Sequence, residues 1–216
     1  MANPKLYSYF RSSASFRVRM ALNWKEIKFE YIPIHLTKDG GQQNTASYRA
    51  INPMGHVPLL EHDGFLLSES MAIIQYLDEV FPGKHLFPTE PKDKARVLQL
   101  CEVVNSGIQP LQNLKVQKRL EEAFQLNKTQ SDDFVRYWIK EGLGNLEKML
   151  EHTSGSFCFG GEFSAADCFV APQIVTAARF GVGLESYPNL TRIFAHTAQL
   201  PVFKQAHPEQ QPDFQR

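Results

Sequence analysis

The chain has 216 residues and 24.6 kDa, room for one large domain or two modest domains sharing an interface. Its 23 Lys+Arg balance 23 Asp+Glu, which excludes a nucleic-acid binder that relies on a basic surplus to neutralise phosphates. With 43% hydrophobic and 21% charged residues, the composition also excludes a disordered chain.

Cys101, Cys158 and Cys168 form an odd, widely spaced set without a C-x-x-C pair. That pattern reads as buried reduced thiols, not as a disulfide framework or a cysteine zinc site. The seven histidines show no H-E-x-x-H or similar spacing, so no metal is expected. The first residues lack the apolar run of a signal peptide, and no apolar stretch approaches the roughly 18–20 residues that span a bilayer. A soluble, cytoplasmic protein is the expectation.

Taken in order, Leu6 to Phe10 is short and aromatic, a strand signal. Over Ser12 to Trp24 the period lengthens, with Phe16, Met20 and Trp24 four apart, and predicts a helix. Phe29 to Pro33 reads as a second strand. Lys38 to Arg49 is polar, contains Gly40-Gly41, and predicts a loop with one helical turn. Val57 to Glu61 and Phe65 to Leu67 flank His62-Asp63-Gly64, a hairpin signal. Ile73, Ile74, Leu77 and Phe81 then recur at helical spacing, so Ser70 to Phe81 predicts an amphipathic helix. The order β-α-β-(loop)-β-β-α is that of a small thioredoxin-like α/β domain over residues 1–82.

Phe81-Pro82-Gly83, with Pro88 and Pro91 after it, marks a linker over residues 83–91. Residues 92–216 show no convincing strand and predict an all-helical domain. Its helices are Lys92 to Leu120, kinked or interrupted at Pro110, then Asp132 to His152, Ser164 to Phe180 and Asn189 to Leu200. Ser164-Ala165-Ala166-Asp167 predicts a capping-box variant. The tail from His207 is polar and predicted to fray.

Three clusters carry chemistry. Ser12-Ser13-Ala14-Ser15 lies where the first strand hands over to the first helix, a place that favours anions through free N–H groups and the helix dipole. A dithiol enzyme would carry two cysteines there, so disulfide exchange is excluded. A serine hydroxyl can donate to a bound thiolate and lower that thiol's pKa, and Ser12 also reads as a plain helix cap. Asn52-Pro53-Met54-Gly55-His56-Val57-Pro58 is either an ordinary turn or, with a cis Val57-Pro58 bond, a backbone edge able to pair with an extended peptide. Ser68-Glu69-Ser70 opens the second amphipathic helix with groups suited to an amino acid's carboxylate and ammonium, and reads equally as a cap.

Together these clusters resemble the cytosolic glutathione S-transferases, specifically the zeta class that includes maleylacetoacetate isomerases. The closest stretch runs from Tyr7 to Leu22, where Ser12-Ser13-Ala14-Ser15-Phe16-Arg17-Val18-Arg19 stands against a class pattern Ser-Ser-Cys-x-Trp-Arg-Val-Arg. Gly41-Gln42-Gln43, Asn52-Pro53-Met54, Gly107 to Leu114, Ala178-Arg179-Phe180 and Ser186-Tyr187-Pro188 also fit, so the resemblance covers almost the whole chain. It implies a thioredoxin-like domain followed by a helical-bundle domain. It implies glutathione as cofactor, held at its thiolate by Ser12 with Ser13 assisting, at its middle by Gln43 and backbone Val57, and at its γ-glutamyl end by Glu69 and Ser70. Gln109 and Asn113 would flank the opening to the second substrate, with Arg11 and Arg179 on its carboxylates. Arg17 and Arg19 are structural or functional on equal footing.

The implied reaction is cis–trans isomerisation of maleylacetoacetate to fumarylacetoacetate in tyrosine and phenylalanine breakdown, by a homodimer. Maleylpyruvate isomerisation, conjugation or dehalogenation of small electrophiles, and a non-enzymatic scaffold are the alternatives. Ala14 and Phe16 depart from the class cysteine and tryptophan. Charge is also segregated: residues 1–60 hold eight Lys/Arg against three acids, and residues 61–80 hold five acids and no Lys or Arg. The first segment suits anionic ligands and the second an ammonium.

Overall fold

The computed structural model describes residues 2–215. The chain divides into two compact units, Met1–Leu86 together with Gln199–Arg216, and Phe87–Ala198.

In the first unit β1 (Lys5–Ser8) pairs in parallel with β2 (Glu30–Pro33) and antiparallel with β3 (Leu59–His62), which pairs with β4 (Phe65–Ser68). The sheet order is β2-β1-β3-β4. Parallel pairing of β1 and β2 requires a crossover, supplied by α1 (Ser13–Trp24). The hairpin between β3 and β4 turns on Asp63 (φ 49°) and Gly64 (φ 80°), the two positive φ values that a tight two-residue loop demands.

Two strand boundaries differ from the sequence expectation. Pairing of β3 begins at Leu59, opposite Tyr7, because Pro58 has no N–H to give a ladder. β1 ends at Ser8, leaving Tyr9 and Phe10 to a loop. Within the expected loop a short helix forms, α2 (Ala46–Ile51), with the Thr45 hydroxyl accepting the Tyr48 N–H at 3.3 Å. Tyr48, 4% exposed, sinks into a cluster with Tyr9, Phe10, Val57 and Leu59. One buried anchor thus fixes where the expected helical turn forms and carries it on to Ile51.

α1 buries Phe16, Val18, Met20, Ala21 and Leu22 together with Arg17 and Arg19, while α3 (Ser70–Val80) buries Ile73, Ile74 and Leu77. Lys25, just after α1, places its ammonium 3.2 Å from Asp78 Oδ1 and 3.0 Å from the Lys84 carbonyl; the two side chains are 0% and 7% exposed. Asp78 Oδ1 also accepts the Leu86 N–H at 2.8 Å, so this pair ties α1, α3 and the end of the unit together.

The segment from Gln199 departs from expectation. The sequence pattern places it in a helical domain over 92–216 with a frayed tail from His207, whereas its contacts group it with the first unit. α9 (Pro201–Ala206) packs on α1, with the Phe203 and Phe16 rings 5.3 Å apart, and Phe214 joins the cluster around Phe10. Apolar anchors at Phe203 and Phe214 outweigh the polarity of the residues between them.

The second unit is helical: α4 (Pro91–Glu102), α5 (Leu114–Phe124), α6 (Lys128–Thr153), α7 (Ala165–Arg179) and α8 (Pro188–Thr197). The expected helix over Lys92 to Leu120 is two. After α4 the backbone widens into a π-helical turn at Val103–Ile108, the Gln109 N–H reaching the Val104 carbonyl at 2.9 Å, and Pro110 prevents resumption. Gly142 on α6 passes this turn closely; a Cβ there would collide with the Ile108 side chain. The predicted capping box holds: the buried Asp167 carboxylate accepts the Ser164 and Cys158 N–H groups, each at 2.9 Å. Burial pushes the Asp167 carboxyl above its ordinary range. The three cysteines are buried and in no disulfide. Among the described residues, no helix is long and apolar enough to cross a membrane.

Asp78→Ala leaves the buried Lys25 ammonium uncompensated, and urea unfolding is expected to show a loss of about 3 kcal/mol. A loss below about 1 kcal/mol, the scale of an exposed pair, would show that the Lys84 carbonyl suffices.

Candidate active site

The register of the sheet gathers the sequence-predicted residues of the first unit at one end. Leu59 pairs with both Tyr7 and Ser68. The exit of β1 towards Ser12, the entry of β3 from Val57 and the exit of β4 towards Glu69 therefore lie side by side. β2 leaves the sheet at the same end, since Pro33 pairs with Ser8, and leads towards Gln43.

Ser12 stands at extended backbone angles (φ −71°, ψ 117°) as the cap of α1, its Oγ accepting the Ser15 N–H at 3.2 Å. The cap and donor readings are compatible, because capping uses a lone pair and leaves the hydroxyl proton to donate. Ser12 and Ser13 are both half-buried, and Ser13 opens the helix, where N–H groups have no partner within the first turn. Arg11 is exposed beside them. Ser15 is fully buried, and its Oγ has no hydrogen-bond partner among the described residues.

The loop before β3 owes its shape to Asn52. Its amide donates to the His56 carbonyl at 2.8 Å and its oxygen accepts the Met54 N–H at 3.3 Å. The Tyr48 hydroxyl reaches the same carbonyl at 2.6 Å, and burial pushes that phenol up to about 12. Val57-Pro58 is cis. Among the described residues, the N–H and C=O of Val57 make no backbone hydrogen bond within the chain. Gln43 is held by Nε2 donation to the Leu36 carbonyl at 3.1 Å, while its buried Oε1 has no partner among the described residues. Gly41 before it has φ 94°, and a Cβ there would sit 2.7 Å from the Leu36 carbonyl oxygen, so only glycine admits this turn.

Glu69 adopts φ 71° and ψ 117°, a sparsely populated conformation for a residue with a Cβ, and its exposed carboxylate makes no capping bond to α3. Ser70 is 3% exposed, and its Oγ accepts from Arg17 Nη1 at 3.0 Å. Arg17 is thus a support for Ser70, a role that sequence spacing left open. Arg19 is structural too. Burial pushes its guanidinium down to about 10, so it remains charged at neutral pH.

The remaining candidates lie in the second unit. Gln109 is half-buried and follows the π-helical turn; Asn113 caps α5, its Oδ1 accepting the Lys115 N–H at 2.9 Å. Arg179 is exposed in the last turn of α7, where the helix dipole suits a cation. Gln112, which the sequence reading left without a role, forms a reciprocal amide pair with Gln173, both bonds at 2.9 Å, and secures the turn that presents Gln109 and Asn113. Asp213, which bonds to the Phe10 N–H at 3.0 Å, had no sequence signal at all.

Residues 6–85 match the family described as glutathione S-transferase, N-terminal domain, and residues 133–196 the corresponding C-terminal domain. The chain is 44% identical over 208 residues to maleylacetoacetate isomerase of Dictyostelium discoideum, covering 96% of this chain and 94% of the relative. It is similar to the solved maleylacetoacetate isomerase of Methylobacterium extorquens AM1 with bound malonate and GSH, at TM-score 0.94 and 37% identity over 98% of this chain and 100% of that one. It is also similar to the holo structure of a bacterial maleylpyruvate isomerase of the zeta class, at TM-score 0.93 and 33% identity over 97% and 99% of the two chains.

The backbone at Glu69 yields its own test. Glu69→Gly relieves the positive φ and is expected to raise unfolding stability by about 1 kcal/mol, read by thermal denaturation. A destabilised variant would show that the carboxylate does more for the fold than the strain costs.

Proposed function

This chain belongs to the glutathione S-transferase family, in its zeta class, and on that premise we propose that it isomerises maleylacetoacetate to fumarylacetoacetate with glutathione as its thiol. The observation that carries the reading is the Ser12 hydroxyl, capping α1 through a lone pair with its proton left to donate, in a chain kin to such isomerases over nearly its full length.

The first unit fits glutathione. Among the described residues, a buried Gln43 Oε1 without a partner, a Val57 edge whose N–H and C=O make no backbone bond, and the first-turn N–H groups of α3 are what a bound peptide would satisfy. The chain offers no sulfur of its own for the task. Ala14 stands where the class has cysteine, and burial pushes the Cys158 and Cys168 thiols well above the range in which a thiolate forms.

Bound glutathione supplies a thiolate whose reversible addition to the conjugated cis double bond permits rotation before the double bond is restored. The protein's part is to favour that thiolate and hold both ligands still. Ser12 donates its hydroxyl proton to the sulfur, and the N-terminus of α1, with the Ser13 N–H, adds positive potential; each 1.4 kcal/mol, roughly, is tenfold in thiolate population. Val57 pairs with the peptide's middle as a strand edge does, Gln43 accepts from it, and Glu69 with Ser70 takes the γ-glutamyl end. Arg11 in the first unit and Arg179 in the second are each the candidate partner of a substrate carboxylate, whose capture gives the rotation a fixed end. Gln109 and Asn113 border that substrate. The chain works as a cytoplasmic homodimer in this reading.

Maleylpyruvate is the second reading, favoured by the likeness to the maleylpyruvate isomerase structure. Absorbance assays with each maleyl acid, with and without glutathione, decide the matter. Turnover that vanishes without glutathione is expected, and no turnover of either acid would overturn the proposal. Ser12→Ala is expected to lower kcat at least about tenfold while the protein still folds, the lost helix cap costing only about 1 kcal/mol of stability. Undiminished turnover would move the donor to Ser13.

A further inference from the structure

The last residues of the chain return to the loop that carries Ser12. Asp213 Oδ2 accepts the Phe10 N–H at 3.0 Å and Oδ1 accepts the Tyr31 hydroxyl proton at 2.7 Å. The Phe214 ring meets the Phe10 ring edge-on at 5.6 Å. The turn that delivers both residues is tied by Gln211, whose Nε2 donates to the Gln205 and His207 carbonyls at 2.9 Å each. From the opposite side Arg19 donates to the Phe10 carbonyl at 3.2 Å, the Tyr9 carbonyl at 3.4 Å and the Ser8 hydroxyl at 3.2 Å. The Phe10 residue is therefore gripped at its N–H by a carboxylate and at its C=O by a guanidinium. Two residues on, Ser12 bonds its N–H to the Tyr9 carbonyl at 3.0 Å and presents its hydroxyl at the head of α1.

We propose that Asp213 is a positioning residue for the thiol chemistry: through the Phe10 N–H it fixes the loop from Tyr9 to Ser12 and so the aim of the Ser12 hydroxyl. The inference rests on the assignment of Ser12 as the donor to the glutathione sulfur. A carboxylate suits this duty because it is acceptor-only, and its two oxygens hold two donors from β2 and the loop without competing donors of its own. Burial raises the Tyr31 phenol, which keeps it protonated and donating. Charge-assisted bonds are the shorter and stiffer kind, and a misplacement of about 1 Å costs roughly a hundredfold in rate where a catalytic group must be aimed.

Wild type, Asp213→Ala and Asp213→Asn are compared in three measurements: the ultraviolet thiolate band of bound glutathione, isomerase kinetics, and amide exchange at Phe10 by NMR. In Asp213→Ala the thiolate fraction at neutral pH and kcat are expected to fall about tenfold, with KM for glutathione within about twofold. Phe10 amide exchange, which needs no glutathione, is expected to quicken at least about tenfold. Asp213→Asn keeps an acceptor oxygen at the same reach and is expected to restore most of each. Faster exchange with wild-type thiolate and kcat would overturn the proposal, as would unchanged exchange. Wild-type protein without a thiolate band would refute the Ser12 assignment and this inference together, whereas a band equal in all three proteins refutes only the part given to Asp213. Should Asp213→Ala not fold, Asp213→Glu, one methylene longer, takes its place with the same expected losses and the same refutations.

Discussion

Arg19 lies within α1 at 1% exposure and spends its donors on the Ser8 hydroxyl, the Tyr9 and Phe10 carbonyls and the Ala206 carbonyl. A bare charge in that position would cost several kcal/mol. The cost is offset by filling the donors with oxygens of the turn between β1 and α1 and of the end of α9. The Phe16 ring, 5.3 Å from the guanidinium, adds a favourable face. The consequence is geometric. The loop cannot drift, α9 is bound to α1, and the cap residue Ser12 is held at the end of a short tether.

At that cap, stability and chemistry share one hydroxyl. The lone pair that satisfies the Ser15 N–H starts α1, and the proton left over is available to a thiolate. The same economy appears at Ser70, which opens α3 while accepting from Arg17. Glu69 between β4 and α3 is different: its positive φ costs the fold and returns nothing by way of a cap. Strain without a local structural return is consistent with the proposed role of Glu69 at the γ-glutamyl end of glutathione. The separation of charge along the first unit follows the same logic, with a cationic run up to residue 60 and an acidic run over residues 61–80 that includes Glu69.

The absence of a cysteine at position 14 defines the chemistry more than it weakens it. The chain's three thiols are buried, and those of Cys158 and Cys168 are pushed away from ionisation, so the reacting sulfur has to arrive with glutathione. In the proposed mechanism what the protein contributes is a dipole, a hydroxyl and a peptide edge, all in place in the folded chain. Such preorganised groups act without a reorganisation cost at the moment of reaction.

Much of this was legible in the sequence because it is local. The 3.6-residue period of Ile73, Ile74 and Leu77, the Asp63-Gly64 turn, the serines at the start of α1 and the Ser164–Asp167 box each depend on neighbours within a few positions. Other features were decided by partners distant along the chain. Phe10 and Asp213 are 203 residues apart, and no periodicity or propensity couples them. The Lys25–Asp78 pair, the assignment of Arg17 and Arg19 to support, and the return of the C-terminal segment to the first unit share that origin. The sequence by itself determined the four strands, most of the long helices and which hydroxyl heads the first of them. Only the tertiary structure decided what holds that hydroxyl in place, because aim is fixed by contacts that loop closure must assemble and that a linear pattern does not encode.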